Sequence, residues 1–351
     1  MTRTALAALL LWGLLALPAQ ARASDLPLFA DADALAVTLH AEWSEFFRGR
    51  GREHGPRYPA VLETVDEDGQ RVSIPVTIER RGVTRLQVCD FPPIRIRFNR
   101  AARAAAEGTV FEGQRNLKMV THCNPRRRWE QYYVMEMLAY QIYNLVTDRS
   151  FRVRALTVTY HDDRRGRSDS DRFAFLIEHM NHVAERNDMS RVREALIGSR
   201  TFEPDELSRF MLFQYLIGNT DFSVVTASAE ERCCHNVRTM GKAASRALYA
   251  VPYDFDSAGL VNASYAAPHE SLPIRSVTRR LYRGFCSHND GLETARQEFL
   301  QLEERILELI RDEPRLDASN RRRALRYVGD FYTTLKDPDR FERNITANCR
   351  R

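Results

Sequence analysis

Lysine is almost missing from this chain. Among 351 residues only Lys118, Lys242 and Lys336 are lysine, so arginine carries nearly all the basic charge. A genome rich in G and C accounts for that bias, and against it a lysine inside an apolar strand stands out. Strong net charge is missing as well. The formal value of +5 leaves room for an anionic ligand but has no nucleic-acid signature. The six cysteines include no C-x-x-C pair, which argues against a zinc ribbon. No G-x-x-x-x-G-K-[ST] occurs, against a P-loop nucleotidase, and no G-x-S-x-G, against an elbow-type serine hydrolase. Internal repeats, low-complexity tracts and an obvious flexible linker are absent.

The one unbroken apolar run lies at the N-terminus, from Ala5 to Leu17, behind the basic Thr2-Arg3. Pro18 breaks it, and Ala19-Gln20-Ala21 and Ala21-Arg22-Ala23 both fit small-x-small cleavage. The run is too short for a comfortable bilayer span, so the expectation is a signal peptide over residues 1–23. The mature protein is then exported, periplasmic or secreted, with no transmembrane segment left. Export gives the cysteines a disulfide reading. Cys89 and Cys123 flank two probable strands and are a candidate staple. Cys233 and Cys234 are adjacent, so at most one is expected to reach a distant partner such as Cys286.

Patterning predicts a short helix from Asp31 to Phe47 inside an N-terminal extension, residues 24–57. A hairpin follows, with alternating runs from Ala60 and from Val72 around Asp66-Glu67-Asp68-Gly69. Ile94–Phe98 and Asn116–Val120 read as strands, Arg128–Thr147 as a helix apolar on more than one face, and Val153–Tyr160 and Phe173–Ile177 as two more strands. The second half turns helical. Pro204-Asp205-Glu206 opens a helix that Gly218 ends, and Glu293–Ile310 and Ser319–Leu335 follow. Val224–Arg246 reads as a polar loop. The expected fold class is α+β in two lobes: an antiparallel-sheet lobe with one helix over 58–180 and a helical lobe over 181–351.

The candidate chemistry gathers between Leu216 and Val261. Asp221 follows the helix end in Gly218-Asn219-Thr220-Asp221. His235-Asn236 lies in the loop. Asp254 and Asp256 follow the strand-like Leu248–Val251. Asp and Asn offer oxygen ligands, which suit Mg²⁺ or Mn²⁺; taken alone, the same residues also fit ordinary turns. Lys118, between Leu117 and Met119, needs an anionic partner, and Glu136 within Val134–Leu138 is one candidate beside nucleotide phosphates. A half-exposed lysine and a solvated glutamate are the plain alternative. Arg81-Gly82-Val83-Thr84-Arg85 joins two strands where it could cover phosphates. Arg126–Arg128 and Arg321–Arg323 read as solvated helix ends.

Taken in order, Arg80-Arg81-Gly82-Val83-Thr84-Arg85, the strand lysine, the helix Glu, Phe175-Leu176-Ile177-Glu178, Gly218-Asn219-Thr220-Asp221 and Pro252-Tyr253-Asp254-Phe255-Asp256 resemble secreted CotH-type kinases. The order is more distantly similar to HipA-type kinases and aminoglycoside phosphotransferases. The resemblance covers roughly Tyr58 to Leu281 and implies a two-lobed protein-kinase-like fold binding ATP with Mg²⁺ or Mn²⁺. It implies Asp221 as catalytic base, Asp254, Asn236 and Asp256 at the metal, and Lys118, Glu136, Arg81 and Arg85 around the nucleotide. Glu178 would lie near the hinge, and Arg95 or Arg97 are alternatives for the strand lysine. The acceptor would be a hydroxyl of a protein or small molecule. A non-catalytic binding module of the cell envelope, with an envelope protein as partner, is the alternative from another class, and an envelope structural protein is the third.

Overall fold

The computed structural model describes residues 26–48, 55–193, 196–226, 233–243 and 245–351; the expected signal peptide and its cleavage site lie outside them. Alternation of apolar residues builds the first half. β1 (Leu35–Ala41), β2 (Tyr58–Val65), β3 (Arg71–Arg80), β4 (Ile94–Arg97), β5 (Asn116–Val120), β6 (Val153–Asp162) and β7 (Arg167–Ile177) close into a barrel ordered β1-β2-β3-β4-β5-β7-β6. Every pairing is antiparallel except β1 with β6, which run parallel. Leu39, Leu62, Ile74, Ile78, Ile96, Leu117, Met119, Val158 and Leu176 fill its interior. The β2–β3 turn forms where Asp-Gly placed it, with Asp66 Oδ1 accepting the Asp68 and Gln70 N–H groups at 3.1 and 2.8 Å.

This barrel overturns the expected two-lobed kinase-like fold. The decisive element is β1, which lies in the stretch read as a helix. Val37, Leu39 and Ala41 alternate inward, and only the six residues of α1 (Trp43–Arg48) are helical there. With β1 in place, neither β2 nor β6 is left as an open edge, an exposure that native sheets avoid. A mixed closed barrel therefore stands where an antiparallel sheet lobe was expected.

Short helices α2 (Thr84–Val88) and α3 (Arg100–Ala105) flank β4. α4 (Glu130–Val146) packs against the barrel's outer face, with Tyr133, Met137 and Tyr140 in one core with Phe173 and Phe175. α5 (Met180–Arg186) and α6 (Pro204–Ile217) follow, and then the helices α7 (Leu292–Gln301), α8 (Glu303–Asp312), α9 (Ala318–Lys336) and α10 (Pro338–Phe341). α6 starts as its sequence requires, with Pro204 in its first turn and Glu203 Oε2 accepting the Glu206 N–H at 2.8 Å. The second half is not purely helical. β8 (Ser190–Val192), β9 (Val237–Gly241) and β10 (Leu248–Pro252) form an antiparallel sheet, so the stretch expected to be a loop contains β9. The single helix expected over Glu293–Ile310 is broken at Leu302. Among the described residues, no helix is long and apolar enough to cross a membrane.

Cys89–Cys123 form a disulfide, as do Cys286–Cys349 and the adjacent Cys233–Cys234. The first is the anticipated staple. The expected reach from Cys233 or Cys234 to Cys286 is not made, because Cys349 lies beside Cys286: Arg350 O accepts the Cys286 N–H at 2.9 Å. Cys89 is the residue just beyond α2, so its bond fixes that short helix to the chain after β5.

Candidate functional site

The end of α6 locks two loops together. Gly218 adopts the left-handed conformation, and a side chain there would collide with the Tyr327 hydroxyl. Gly218 O and Ile217 O accept N–H groups from Gly259 and Leu260 at 3.1 and 2.9 Å. The loop after β10 is thereby held against the loop that carries Asp221. Asn219, buried, donates to Gln214 Oε1 at 3.0 Å and accepts the Asp221 N–H at 3.0 Å, an Asx turn that orients Asp221. Arg283 donates to Thr220 O and to Phe222 O, the latter at 2.8 Å.

Asn236 reaches Asp221 although fifteen residues separate them. Ser223 and His235 exchange two backbone hydrogen bonds, at 3.0 and 3.1 Å, and zip the two segments together. Asn236 Nδ2 then donates to Asp221 O at 2.9 Å and to Asp221 Oδ2 at 3.1 Å, and His235 Nε2 lies 2.8 Å from Asp221 Oδ1. Asn236 and Asp254 both have positive φ, 51° and 66°. Asn and Asp tolerate that region better than other side chains, and such backbone concentrates at functional loops. The Asp254 N–H donates to Tyr140 Oη at 2.8 Å, tying the acidic loop to α4.

Behind this loop lies a buried ionic cluster. Arg85, 5% exposed, donates to Glu136 Oε1 at 2.8 Å, Asp254 Oδ1 at 3.0 Å and Asp256 Oδ2 at 2.9 Å. Asp256 Oδ2 also accepts from Tyr265 Oη at 3.0 Å. Burial disfavours the Arg85 charge, but Asp256, Glu136 and Asp254 outweigh it and hold the guanidinium protonated more firmly than usual. One guanidinium does not neutralise three carboxylates. Glu136 relieves part of the imbalance: it is fully buried, its Oε2 has no hydrogen-bond partner among the described residues, and burial against Arg85's pull raises its pKa to about 7, favouring the neutral acid.

The cleft in front of the cluster has a volume of about 440 Å³. Arg81, Arg95, Lys118 and Arg238 line it together with Asp221, Asn236, Asp254 and Asp256. Lys118 Nζ sits 4.6 Å from the Tyr253 ring centre, and the Arg238 guanidinium 4.4 Å from the same ring. Burial and the neighbouring Arg81 and Arg238 charges push the Lys118 pKa well below lysine's ordinary value, with Asp254 pulling the other way. A second recess of about 280 Å³ shares Arg95, Lys118 and Arg238 with the cleft and adds Glu178 and His179.

Asp221, Asn236, Asp254, Asp256, Lys118, Arg81 and Arg85 thus meet at one cleft. Glu136 and Glu178 do not line it. The anticipated Lys118–Glu136 pair is absent because α2 brings Arg85 to Glu136 instead, while Lys118 leaves β5 toward Tyr253. Glu178 pairs with Arg186 at 3.0 Å and accepts the Arg152 N–H at 3.0 Å at the end of β7. Arg97 is held by Glu79 at 2.8 Å, whereas Arg95 shares that glutamate at 2.9 Å and also reaches the cleft. Arg238 was missed. Its signal is an arginine inside the alternating Val237-Arg238-Thr239-Met240, legible only once that stretch is read as a strand. No family model matches this chain and no curated protein matches it.

Proposed function

We propose that this chain is an exported phosphotransferase that binds ATP with Mg²⁺ or Mn²⁺ and passes the γ-phosphoryl to a hydroxyl of a protein or small molecule. The reading keeps the chemistry implied by the resemblance to secreted kinases and leaves the two-lobed fold aside. One observation carries it: cations suited to phosphates and oxygen ligands suited to a hard divalent ion line the same cleft. Arg81, Lys118 and Arg238 hold the phosphates. Asp254 and Asp256 each give one oxygen to Arg85 and keep the other for the metal; Asn236 donates through Nδ2 and keeps its carbonyl oxygen for the same ion. Asp221 orients the acceptor hydroxyl and takes its proton. Arg85 and Glu136 position the metal ligands from behind. The neighbouring recess beside Glu178 accommodates the nucleoside. Three disulfides fit the oxidising compartment that export implies.

A thermal-shift titration with ATP and Mn²⁺ tests the reading. Saturating ligand is expected to raise the wild-type melting temperature by roughly 5 °C, and Asp254→Asn to abolish the shift. An unmoved wild type sinks nucleotide binding. One observation favours a second reading, a non-catalytic binding module of the cell envelope: both Asp221 carboxylate oxygens are already engaged, by His235 and Asn236. A wild-type shift with no phosphoryl turnover selects that module.

Lys118 adds a pH dependence. Burial and then the cationic neighbours depress its pKa; phosphates beside it would counter both, so the bound-state pKa is the higher one and binding takes up a proton. Affinity is therefore full below the free-state pKa and declines, by at most about tenfold per pH unit, until the bound-state value is passed. Calorimetry in buffers of different ionisation enthalpy reads the uptake directly. Uptake is expected to be larger in wild type than in Lys118→Arg, whose charge does not titrate. Equal proton counts in the two proteins refute the assignment.

A further inference from the structure

Away from the cleft, the seam that closes the barrel carries a second cluster. The parallel register of β1 and β6 places His40 opposite His161, with ring centres 5.0 Å apart. The turn after β6 returns to this seam because the Asp163 N–H donates to Ala41 O at 3.2 Å. Asp163 Oδ1 then lies 3.3 Å from His40 Nδ1 and 4.0 Å from His161 Nε2. One ligand atom from each of the three residues falls within 4.8 Å of the others. Tetrahedral zinc, with bonds of about 2.0–2.2 Å, needs ligand atoms roughly 3.3–3.5 Å apart, so a small contraction of this triangle completes its geometry.

The remaining imidazole nitrogens have the surroundings that metal-bound histidines use. His161 Nδ1 sits 2.9 Å from Ser168 Oγ. His40 Nε2 is closed to solvent and lacks an aligned hydrogen bond, and Glu63 Oε2 on β2 lies 3.1 Å away. A carboxylate or hydroxyl on the far nitrogen fixes tautomer and ring orientation in metal sites. A plain cross-strand histidine pair has no need for both rings to turn one nitrogen to the same carboxylate oxygen and the other to a separate polar group.

From this arrangement we infer a zinc site formed by His40 Nδ1, His161 Nε2 and Asp163 Oδ1, with a solvent molecule as fourth ligand. Two nitrogens and one carboxylate suit Zn²⁺, unlike the oxygen-only set of the cleft, which suits Mg²⁺ or Mn²⁺. The partially exposed His161 and Asp163 leave the fourth position open to water. The bound ion pins β1 to β6, the one parallel pairing in the barrel and the one that joins the first and last strands of its order. Thiolates do not compete, since no free cysteine is present among the described residues.

The test uses the tag-free mature chain, cleared with chelator and titrated with Zn²⁺ and, separately, Co²⁺. One zinc per chain is expected, with a rise in melting temperature, and Co²⁺ should develop the visible bands of a tetrahedral nitrogen-oxygen site. His161→Ala and Asp163→Asn, both at partly exposed positions, should each weaken zinc by at least about tenfold and erase the cobalt bands. Circular dichroism of the metal-free variants verifies their fold. Failure of the wild type to bind zinc at micromolar concentration overturns the site. So does equal affinity in either folded variant.

Discussion

Arg85→Met is expected to destabilise the protein by about 3–5 kcal/mol, the usual cost of removing one partner of a buried ion pair. The pair is a four-membered cluster. Among the described residues Arg85 is the only cation hydrogen-bonded to Glu136, and it also holds Asp254 and Asp256. Methionine fills a similar volume but leaves three carboxylates facing one another, one of them fully buried. The variant recovers part of the loss by protonating Glu136 more fully, because burial already raises its folded-state pKa and the lowering pull of Arg85 is gone. A raised carboxylate contributes stability that is full below the unfolded pKa and is lost as pH rises through the folded one. The deficit relative to wild type should therefore grow between pH 5 and pH 8. Urea denaturation at both values reads it; a variant as stable as wild type at pH 8 would show that the cluster does not hold the fold. Glu136→Gln is the companion measurement. With a folded pKa of about 7 against an ordinary 4.5, Glu136 contributes stability that is present below 4.5 and lost toward 7. The amide imitates the protonated acid, so Glu136→Gln should flatten that part of the wild-type profile at little cost.

Local signals made much of this molecule legible, and long-range ones did not. The β2–β3 hairpin follows from its alternation and its Asp66–Gly69 turn, and α6 from Pro204 at one end and Gly218 at the other. Cys89 and Cys123 were readable as a staple because strands flank them. β1 was hidden. Its seven residues run almost directly into Trp43–Arg48, so strand and helix merge into one expected helix, and its parallel partner lies more than a hundred residues away. The fold class failed on that strand. Within the site, residue types and neighbourhoods were legible while partner choice was not. Leu117 and Met119 point into the barrel, so Lys118 is turned outward, but nothing local shows that Tyr253 waits there or that Arg85 takes Glu136. The fifteen-residue gap before Asn236 is bridged by backbone pairing between Ser223 and His235, which neither segment announces by itself.

Asp221→Asn should lower phosphoryl transfer by about 10²–10⁴-fold, the usual contribution of a positioned general base, while ATP–Mn²⁺ binding stays close to wild type. The separation follows from geometry. Asp221 is tied to Asn236 and His235 at the outer part of the site, with its side chain 44% exposed, whereas Asp254 and Asp256 are braced by the buried Arg85. An asparagine at 221 keeps the Asx turn, which uses the backbone N–H of that residue, and retains an oxygen to accept from Asn236. It loses the negative charge proposed to take the acceptor's proton. Asp254→Asn changes the proposed metal ligand and an Arg85 partner together, so it should lose binding and turnover alike. ATP hydrolysis and autophosphorylation read turnover without knowledge of the acceptor, and the thermal shift reads binding. A turnover loss in Asp221→Asn matched by an equal loss of binding would reassign Asp221 from base to ligand. Unchanged turnover in a folded Asp221→Asn would remove it from the chemistry and leave His235, 2.8 Å away, as the nearest group able to accept the proton.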